Sequence, residues 1–420
     1  MATQYKVEAD GSVTITMNFK PEGSMLEQEE QIAQALSEMG RMATALSIQN
    51  FDTDGRPVVV DNVKHTSRGK EKKGYQTPYG KIEISRHVYQ ASRGGRIVAP
   101  MEKRARIINR NSTPRFAQMV SWKYTQMSAA MVEEDLELNH SRKTSRKLIQ
   151  RLSAAVGELA REKEFEWEYE LPEFEEVVTH VVISRDGTTT PIVGEGYRET
   201  MCGTISFYSG KGERLHTIYT ACAPEYGKAT FDSVLDMEIE NVKNQYPKVK
   251  YVGLADGAKD NWSYLQPHTS VQILDFYHAT DYLSDISLVM GKTDTKRKEW
   301  LEGACHDLKH QRKGAANILR ELKHFRRNMD STAPEILDTT ITYFENNQAR
   351  MKYAAYQKQG YPIGSGVTEA ACKVVAKQRL NQSGMRWNIY PVQQMLLLRG
   401  LACTPGRWRQ FWRHVDKNGL

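Results

Sequence analysis

The stretch VVTHVVISRD, residues 177–186, decides how the chain is read: Val and Ile crowd into a run of strand length, and the run stops on Asp186. Val and Ile are stiff at χ1 and favour a pleated surface, and a nearly continuous apolar run marks a strand covered on both faces. Working forward, CGTISFYS (202–209) and RLHTIYTACA (214–223) are two further strand-like runs. A helical pattern covers Lys228–Gln245, and KVKYVGLA (248–255) is a strand that stops on Asp256. A short helical piece at Asn261–Leu265 precedes SVQILDFYHA (270–279). Three strands, helix, strand, helix, strand predict an α/β core in which two acids leave strand ends.

This is the element order of a ribonuclease-H-like fold, which closes on a helix bearing a further acid. GSGVTEAACKVVAKQRL (364–380) has that helical pattern and puts Glu369 just after a glycine-rich turn. Charged helical sequence delays it, so the catalytic core is expected over 177–279 and 360–390, with a helical insertion at 280–359. Asp186, Asp256 and Glu369 are the candidate catalytic and metal-binding residues. Phosphodiester chemistry needs an activated oxygen nucleophile and a stabilised leaving oxygen. Two Mg²⁺ (or Mn²⁺) ions about 3.5–4 Å apart supply both when hard oxygen ligands hold them. Three clustered carboxylates repel one another unless cations neutralise them. Taken singly, each acid has an ordinary reading: Asp-Gly favours turns, and Glu in a first helical turn complements the helix dipole. Asp232, Asp260 and Glu195 fit less well, because they fall in a helix or in loops. Asp275 and His278 form a D-x-x-H after the last strand, one helical turn apart. They can bond each other, brace the metal site or touch the scissile phosphate, and a structural histidine fits as well.

The 420 residues are enough for two or three domains, and 40% apolar with 26% charged content describes a globular chain. Lys and Arg number 58 against 51 Asp and Glu, a net charge of +7, and the excess is uneven: Lys64–Arg115 holds 14 basic and 3 acidic residues. Such clustering points to a polyanionic partner, the alternative being a solvated basic face. Cys202, Cys222, Cys305, Cys372 and Cys403 are odd in number and never spaced C-x-x-C, which argues against a disulfide framework and a cysteine zinc knuckle and suits a reducing cytoplasm. The N-terminus MATQYKVEADGSVTITMNFK alternates polar and apolar residues, and no run approaches the ~20 apolar residues that span a bilayer. An intracellular protein without a membrane partner is expected.

Residues 1–20 read as a short β segment, and Ile32, Leu36, Met39, Met42 and Leu46 mark an amphipathic helix over Met25–Ile48. Its stripe suits packing within its own domain or pairing of two subunits. Residues 50–110 are Gly- and basic-rich with alternating runs such as KIEISRHVYQ, so 1–110 is expected to be a helix plus a basic β-rich region. Ser112-Thr113-Pro114 is a helix start. Three helices with a break at NHSRK follow, making 111–163 a helix-turn-helix-like DNA-binding module. Arg142, Lys143, Arg146 and Gln150 cluster at the start of its last helix and are the candidate DNA contacts; a helical linker with a wet basic face is the plain alternative. The acidic EFEWEYELPEFEE (164–176) is the expected linker. At the other end, 391–420 is a basic, aromatic segment, and Arg379 and Arg386 beside Trp387 suit a DNA groove. Burial is expected for Trp387, and core packing fits Trp408 and Trp412 equally.

The strings GYRETMCGTISFYS (196–209), YTACAPEYGKATF (219–231), VGLADGAKDNW (252–262), ILDFYHATDYL (273–283) and YPIGSGVTEAACK…RLNQSGMRW (361–387) resemble the transposases of bacterial ISKra-type insertion sequences, DDE enzymes allied to the mutator-like group. RHVYQ (86–90) and STPRFAQMVSWKY (112–124) extend the resemblance over nearly the whole chain. It implies Asp186, Asp256 and Glu369 as the catalytic triad, with Asp275 and His278 as the accompanying D-x-x-H. One departure is VAPMEK (98–103): related sequences often carry a cysteine just before the proline, and its absence argues against a metal-bound knuckle there.

The resemblance implies a transposase that binds the terminal inverted repeats of its element and performs Mg²⁺-dependent strand cleavage and strand transfer. Double-stranded DNA, both element ends and target, is then the partner, with a homodimer or higher assembly on it, in a nucleoid-associated bacterial cytoplasm. The alternative is an inactive or domesticated transposase acting as a sequence-specific DNA-binding protein. A nuclease of the same core without joining activity is a third reading.

Overall fold

Alternation over the first residues folds as an antiparallel hairpin, β1 (Ala2–Val7) and β2 (Val13–Asn18), which turns at Asp10-Gly11 with Ser12 N–H donating to Asp10 Oδ1. The structure, a computed structural model, describes residues 2–163, 169–291, 293–329 and 334–418. Helix α1 (Met25–Gln49) starts at a capping box, in which the Ser24 and Glu27 side chains each accept from the other's backbone N–H. Of its expected stripe, Met39, Met42 and Leu46 are half-buried and Ile32 and Leu36 are exposed, while the buried positions of the helix are Ala35 and Ile48. The basic region is an antiparallel sheet of β3 (Val58–Val60), β4 (Val63–Thr77), β5 (Gly80–Ala91) and β6 (Gly94–Val98). Tyr75, Ile82 and Ile84 pack there with Ile48, Met101 and Ile107. Met101 of α2 (Pro100–Arg104) is buried, and Glu102 accepts from Lys73 Nζ and the Tyr75 hydroxyl.

The three helices expected next are α3 (Pro114–Gln126), α4 (Ala129–His140) and α5 (Arg146–Lys163). The chain turns from α4 to α5 through Ser141 at φ +50°, a left-handed position that ends α4. Of the expected linker 164–176, residues 164–168 lie outside the described residues.

The chain divides into two compact units, Met1–Trp167 with Arg409–Leu420 and Glu168–Trp408. The second is mixed α/β, built on five strands: β7 (Val178–Ile192), β8 (Gly196–Ser209), β9 (Arg214–Cys222), β10 (Lys250–Ala255) and β11 (Val271–Leu274). Their order is β11-β10-β7-β8-β9, antiparallel across β7, β8 and β9 and parallel across β7, β10 and β11. The Val- and Ile-rich β7 is central, as its apolar run demands. Helix α6 (Ala229–Gln245) buries Phe231, Leu235 and Ile239 in the core, and α7 (Lys259–Leu265) follows β10.

Between β11 and Gly366 the described residues form six helical pieces. They are α8 (Phe276–Met290), α9 (Asp294–His310), α10 (Gly314–Arg327), α11 (Glu335–Asn347), a 3₁₀ turn at Gln348–Arg350 and α12 (Tyr353–Lys358). The insertion expected at 280–359 is helical, but α8 runs unbroken across its start. Helix α13 (Gly366–Ala371) leads into a π-helical turn at Cys372–Lys377 and then α14 (Gln378–Leu380), so the expected long helix is interrupted.

The C-terminal segment is also divided. Helix α15 (Ile389–Cys403) belongs to the second unit and lies so close along β9 that a Cβ on Gly400 would sit 3.0 Å from the Tyr219 carbonyl oxygen. Helix α16 (Arg407–Asn418) passes into the first unit, with Trp408 and Trp412 both buried. No helix is long and apolar enough to cross a membrane among the described residues.

Candidate metal centre

The ladder registers place the acids. Gly253 of β10 pairs with Ile183 of β7, and Asp256 and Asp186 each lie three residues further on, so parallel pairing carries them to the same level. Ala255 pairs with Leu274 of β11, and the residues that follow are Asp256 and Asp275. Three aspartates therefore stand side by side where three neighbouring strands point the same way. Gly257 turns the chain beyond Asp256 at φ +107°, a conformation L side chains rarely adopt.

Each acid is held differently. Asp186 Oδ1 accepts from Gly187 N–H at 2.7 Å, and Oδ2 faces the Cys372 thiol at 3.7 Å. Burial raises the Asp186 pKa against the pull of the Gly187 N–H, and the charge of Asp256 raises it further. Asp256 Oδ1 accepts from Asn261 Nδ2 at 2.9 Å and Ala258 N–H at 3.1 Å. Asp275 is wholly buried and caps α8, with Oδ1 accepting from His278 N–H at 2.8 Å and Oδ2 accepting from Ser365 N–H. Burial alone would raise its pKa, but the bonds from His278 and Ser365 bring it down to about 2.

His278 Nδ1 lies 3.4 Å from Asp275 Oδ1. That interaction, with the charges of Asp275, Asp256 and Glu369, raises the imidazole to about 9 against the effect of burial. Glu369 arrives on α13, which is fixed to the sheet by the buried Thr368–Thr204 hydroxyl pair at 2.7 Å. Its Oε1 accepts from Ser365 Oγ at 2.8 Å, so Ser365 joins Asp275 to Glu369. A Cβ on Gly364 would meet the Tyr277 ring at 2.7 Å, which explains the glycine before Ser365.

Among the described residues, the His, Cys, Asp and Glu ligand atoms that gather within 4.8 Å of one another belong to Asp275, His278 and Glu369, not to Asp186, Asp256 and Glu369 as a trio. Like charges explain the difference: Glu369 is drawn to the Ser365 hydroxyl and to the positive imidazole instead of toward two more carboxylates. The donor set fits hard divalent cations. Asp186, Asp256 and Glu369 supply carboxylate oxygens, and the mutual repulsion of Asp186 and Asp256 is what a cation between them would relieve.

The expected DNA contacts separate into two groups. Arg142 is 6% exposed, donates to Gln76 Oε1 at 2.7 Å and lies over the Phe116 ring. Arg379 is 1% exposed, with its guanidinium over Trp387 and Nη1 on Met385 Sδ. Each guanidinium is turned inward onto an aromatic ring, against the exposed position expected of a DNA contact. Lys143, Arg146, Gln150 and Arg386 are exposed, with Arg146 on Glu133 at 2.8 Å and Lys143 on Glu137 at 3.5 Å. Trp387 is half-buried and donates to the Leu380 carbonyl.

Sequence reasoning missed Ser365, Thr368, Asn261, Cys372 and Arg185, which hold or flank the acids. Each contacts a residue distant in sequence or has a common local reading, and only Ser365, in the G-S-G before Glu369, carried a local signal. No family model matches the chain, and no curated protein matches it either.

Proposed function

We propose that the chain is a DNA transposase of the DDE type, with a ribonuclease-H-like core in which Asp186, Asp256 and Glu369 hold two Mg²⁺ or Mn²⁺ ions. The observation that carries this reading is the level register of Asp186, Asp256 and Asp275 on β7, β10 and β11, with Glu369 brought to them by α13. The strand order β11-β10-β7-β8-β9, antiparallel on one side of β7 and parallel on the other, supports the ribonuclease-H-like assignment.

When bound, the ions supply charge neutralisation and Lewis-acid activation for attack at phosphorus. The chain's own residues do the rest. Asp186 orients its carboxylate from within the central strand β7, Asp256 from just past the end of β10, and Ser365 aims Glu369. His278, positive at neutral pH and braced by Asp275, places a proton beside the scissile phosphate. The exposed Lys143, Arg146, Gln150 and Arg386 are the reading's DNA contacts, with element ends and target as substrates and a dimer or larger assembly joining two ends.

The test uses the purified chain, Mg²⁺ or Mn²⁺, and DNA carrying the ends that flank its own coding sequence. Cleavage at those ends and covalent joining to a target plasmid are expected, with Asp186→Ala and Glu369→Gln each losing more than about 100-fold in rate. Full activity in either variant sinks the assignment. Cleavage without joining indicates a nuclease, and metal-independent binding without cleavage indicates the DNA-binding protein.

A further inference from the structure

We propose that Arg185 and Asn261 are positioning residues that fix the Asp256 carboxylate for a divalent cation, an inference that rests on the metal reading above. Arg185 immediately precedes Asp186, so strand alternation sends it to the opposite face of the sheet. Its side chain is 2% exposed, and it is spoken for on every side. Nη1 donates to Asp232 Oδ1 at 2.6 Å, Nη2 to the Asp260 carbonyl at 3.0 Å, and the guanidinium lies 4.4 Å from the centre of the Tyr264 ring. Nε donates to Asn261 Oδ1 at 2.8 Å.

That last bond has a consequence for Asp256. A guanidinium has only donors, so Asn261 must turn its oxygen toward Arg185. Its Nδ2 is then committed to Asp256 Oδ1, at 2.9 Å. The flipped amide would set NH₂ against the guanidinium and oxygen against the carboxylate, two repulsions in a place where Asn261 is 4% exposed. Arg185 therefore selects the amide orientation, and the amide selects the carboxylate rotamer. Asp256 Oδ1 is occupied by Asn261 and Ala258, and Oδ2 carries no hydrogen bond from a described residue. The fork geometry of arginine is needed, since a lysine at 185 cannot bond Asp232, Asp260 and Asn261 at fixed angles together.

The test is Mn²⁺ binding to the full chain without DNA, read by the electron paramagnetic resonance signal of free Mn²⁺, with thermal melts as a fold control. Asn261→Ala is expected to raise the Mn²⁺ Kd about tenfold, the size typical of losing a partner that orients a metal ligand. In an Asp256→Ala background the same change is expected to add less than about twofold, because Asn261 acts through Asp256. Arg185→Lys should follow the same pattern. If Asn261→Ala does not fold, Asn261→Ser carries the measurement, since its shorter side chain cannot span to Asp256. An unchanged Kd in the Asn261 variant, or an equal loss with and without Asp256, overturns the proposal. If Asp256→Ala itself leaves Mn²⁺ binding untouched, the metal reading fails instead.

Discussion

Asp275 shows how one side chain serves the backbone and the chemistry together. Its Oδ1 caps α8 and faces His278, and its Oδ2 receives Ser365 N–H from the turn that carries Glu369. Asparagine caps a helix nearly as well as aspartate, so Asp275→Asn removes the charge while keeping the cap. His278 then loses the partner that stabilises its protonated form. Its pKa is expected to fall from about 9 toward the ordinary value near 6.5, followed by nuclear magnetic resonance titration of the imidazole. A titration that stays near 9 would assign the shift to Asp256 and Glu369. At this scale Asp256, Asp275, His278 and Glu369 stood out because each lies at or near the start or end of an element, whereas Asp186, expected at a strand end, lies inside β7, which runs on to Ile192 because it pairs with β8 along that length. The burial of Arg142 and Arg379 was not legible, because a basic residue in a basic run looks solvated until the aromatic ring beneath it is placed.

At the scale of elements, the interrupted helix after Glu369 is tied to α15 at its π-helical turn. A π-helical turn replaces the usual ladder with wider i→i+5 bonds, and Arg399 of α15 donates to two of its carbonyls, Val374 O and, at 3.3 Å, Val375 O. Arg399→Met keeps the length and removes the donors, at an expected cost on the order of 2–3 kcal/mol measured by denaturant unfolding. A loss below about 0.5 kcal/mol would mean that water or relaxation satisfies those carbonyls.

The turn between α9 and α10 is the other informative element. Lys309 sits over the ring of Phe276, the neighbour of Asp275, and Arg312 and Lys313 are exposed beside it; among the described residues none of the three has an ion-pair partner. If this turn guides a DNA strand to the acids, replacing all three by Ala lowers the salt dependence of DNA binding, log K against log salt, by about 2–3. An unchanged slope removes the turn from the DNA path.

Across the second unit, two buried histidines couple stability to pH. His180 stacks on Tyr208, and His216 bonds the Tyr169 hydroxyl; burial lowers both to about 4, with the Arg407 charge adding to His216. Lowered folded values mean that the unfolded chain binds more protons between pH 6.5 and 4. The stabilisation is therefore complete above about 6.5 and is lost as pH falls to about 4, on the order of 3 kcal/mol for each histidine. Melting temperatures should drop over that window, and His180→Phe, which keeps the stack and cannot charge, should flatten part of the drop. An identical pH profile in the variant would place the linkage elsewhere.

Much of this molecule follows from local pattern alone. The apolar run into Asp186, the strand into Asp256, the helix after Gly364, and the three helices from α3 to α5 are written in periodicities of two and 3.6 and in cap and turn residues. Those signals act over a few residues, so a linear reading can carry them. Long-range pairing decided the rest. Parallel register brought Asp275 level with Asp186 and Asp256, and α15 was drawn onto β9 instead of standing apart as a basic tail. Aromatic neighbours buried Arg142 and Arg379, and the fork of Arg185 reached Asp256 through Asn261. These outcomes depend on which distant residues meet once the core excludes water, and periodicity along the chain does not encode that.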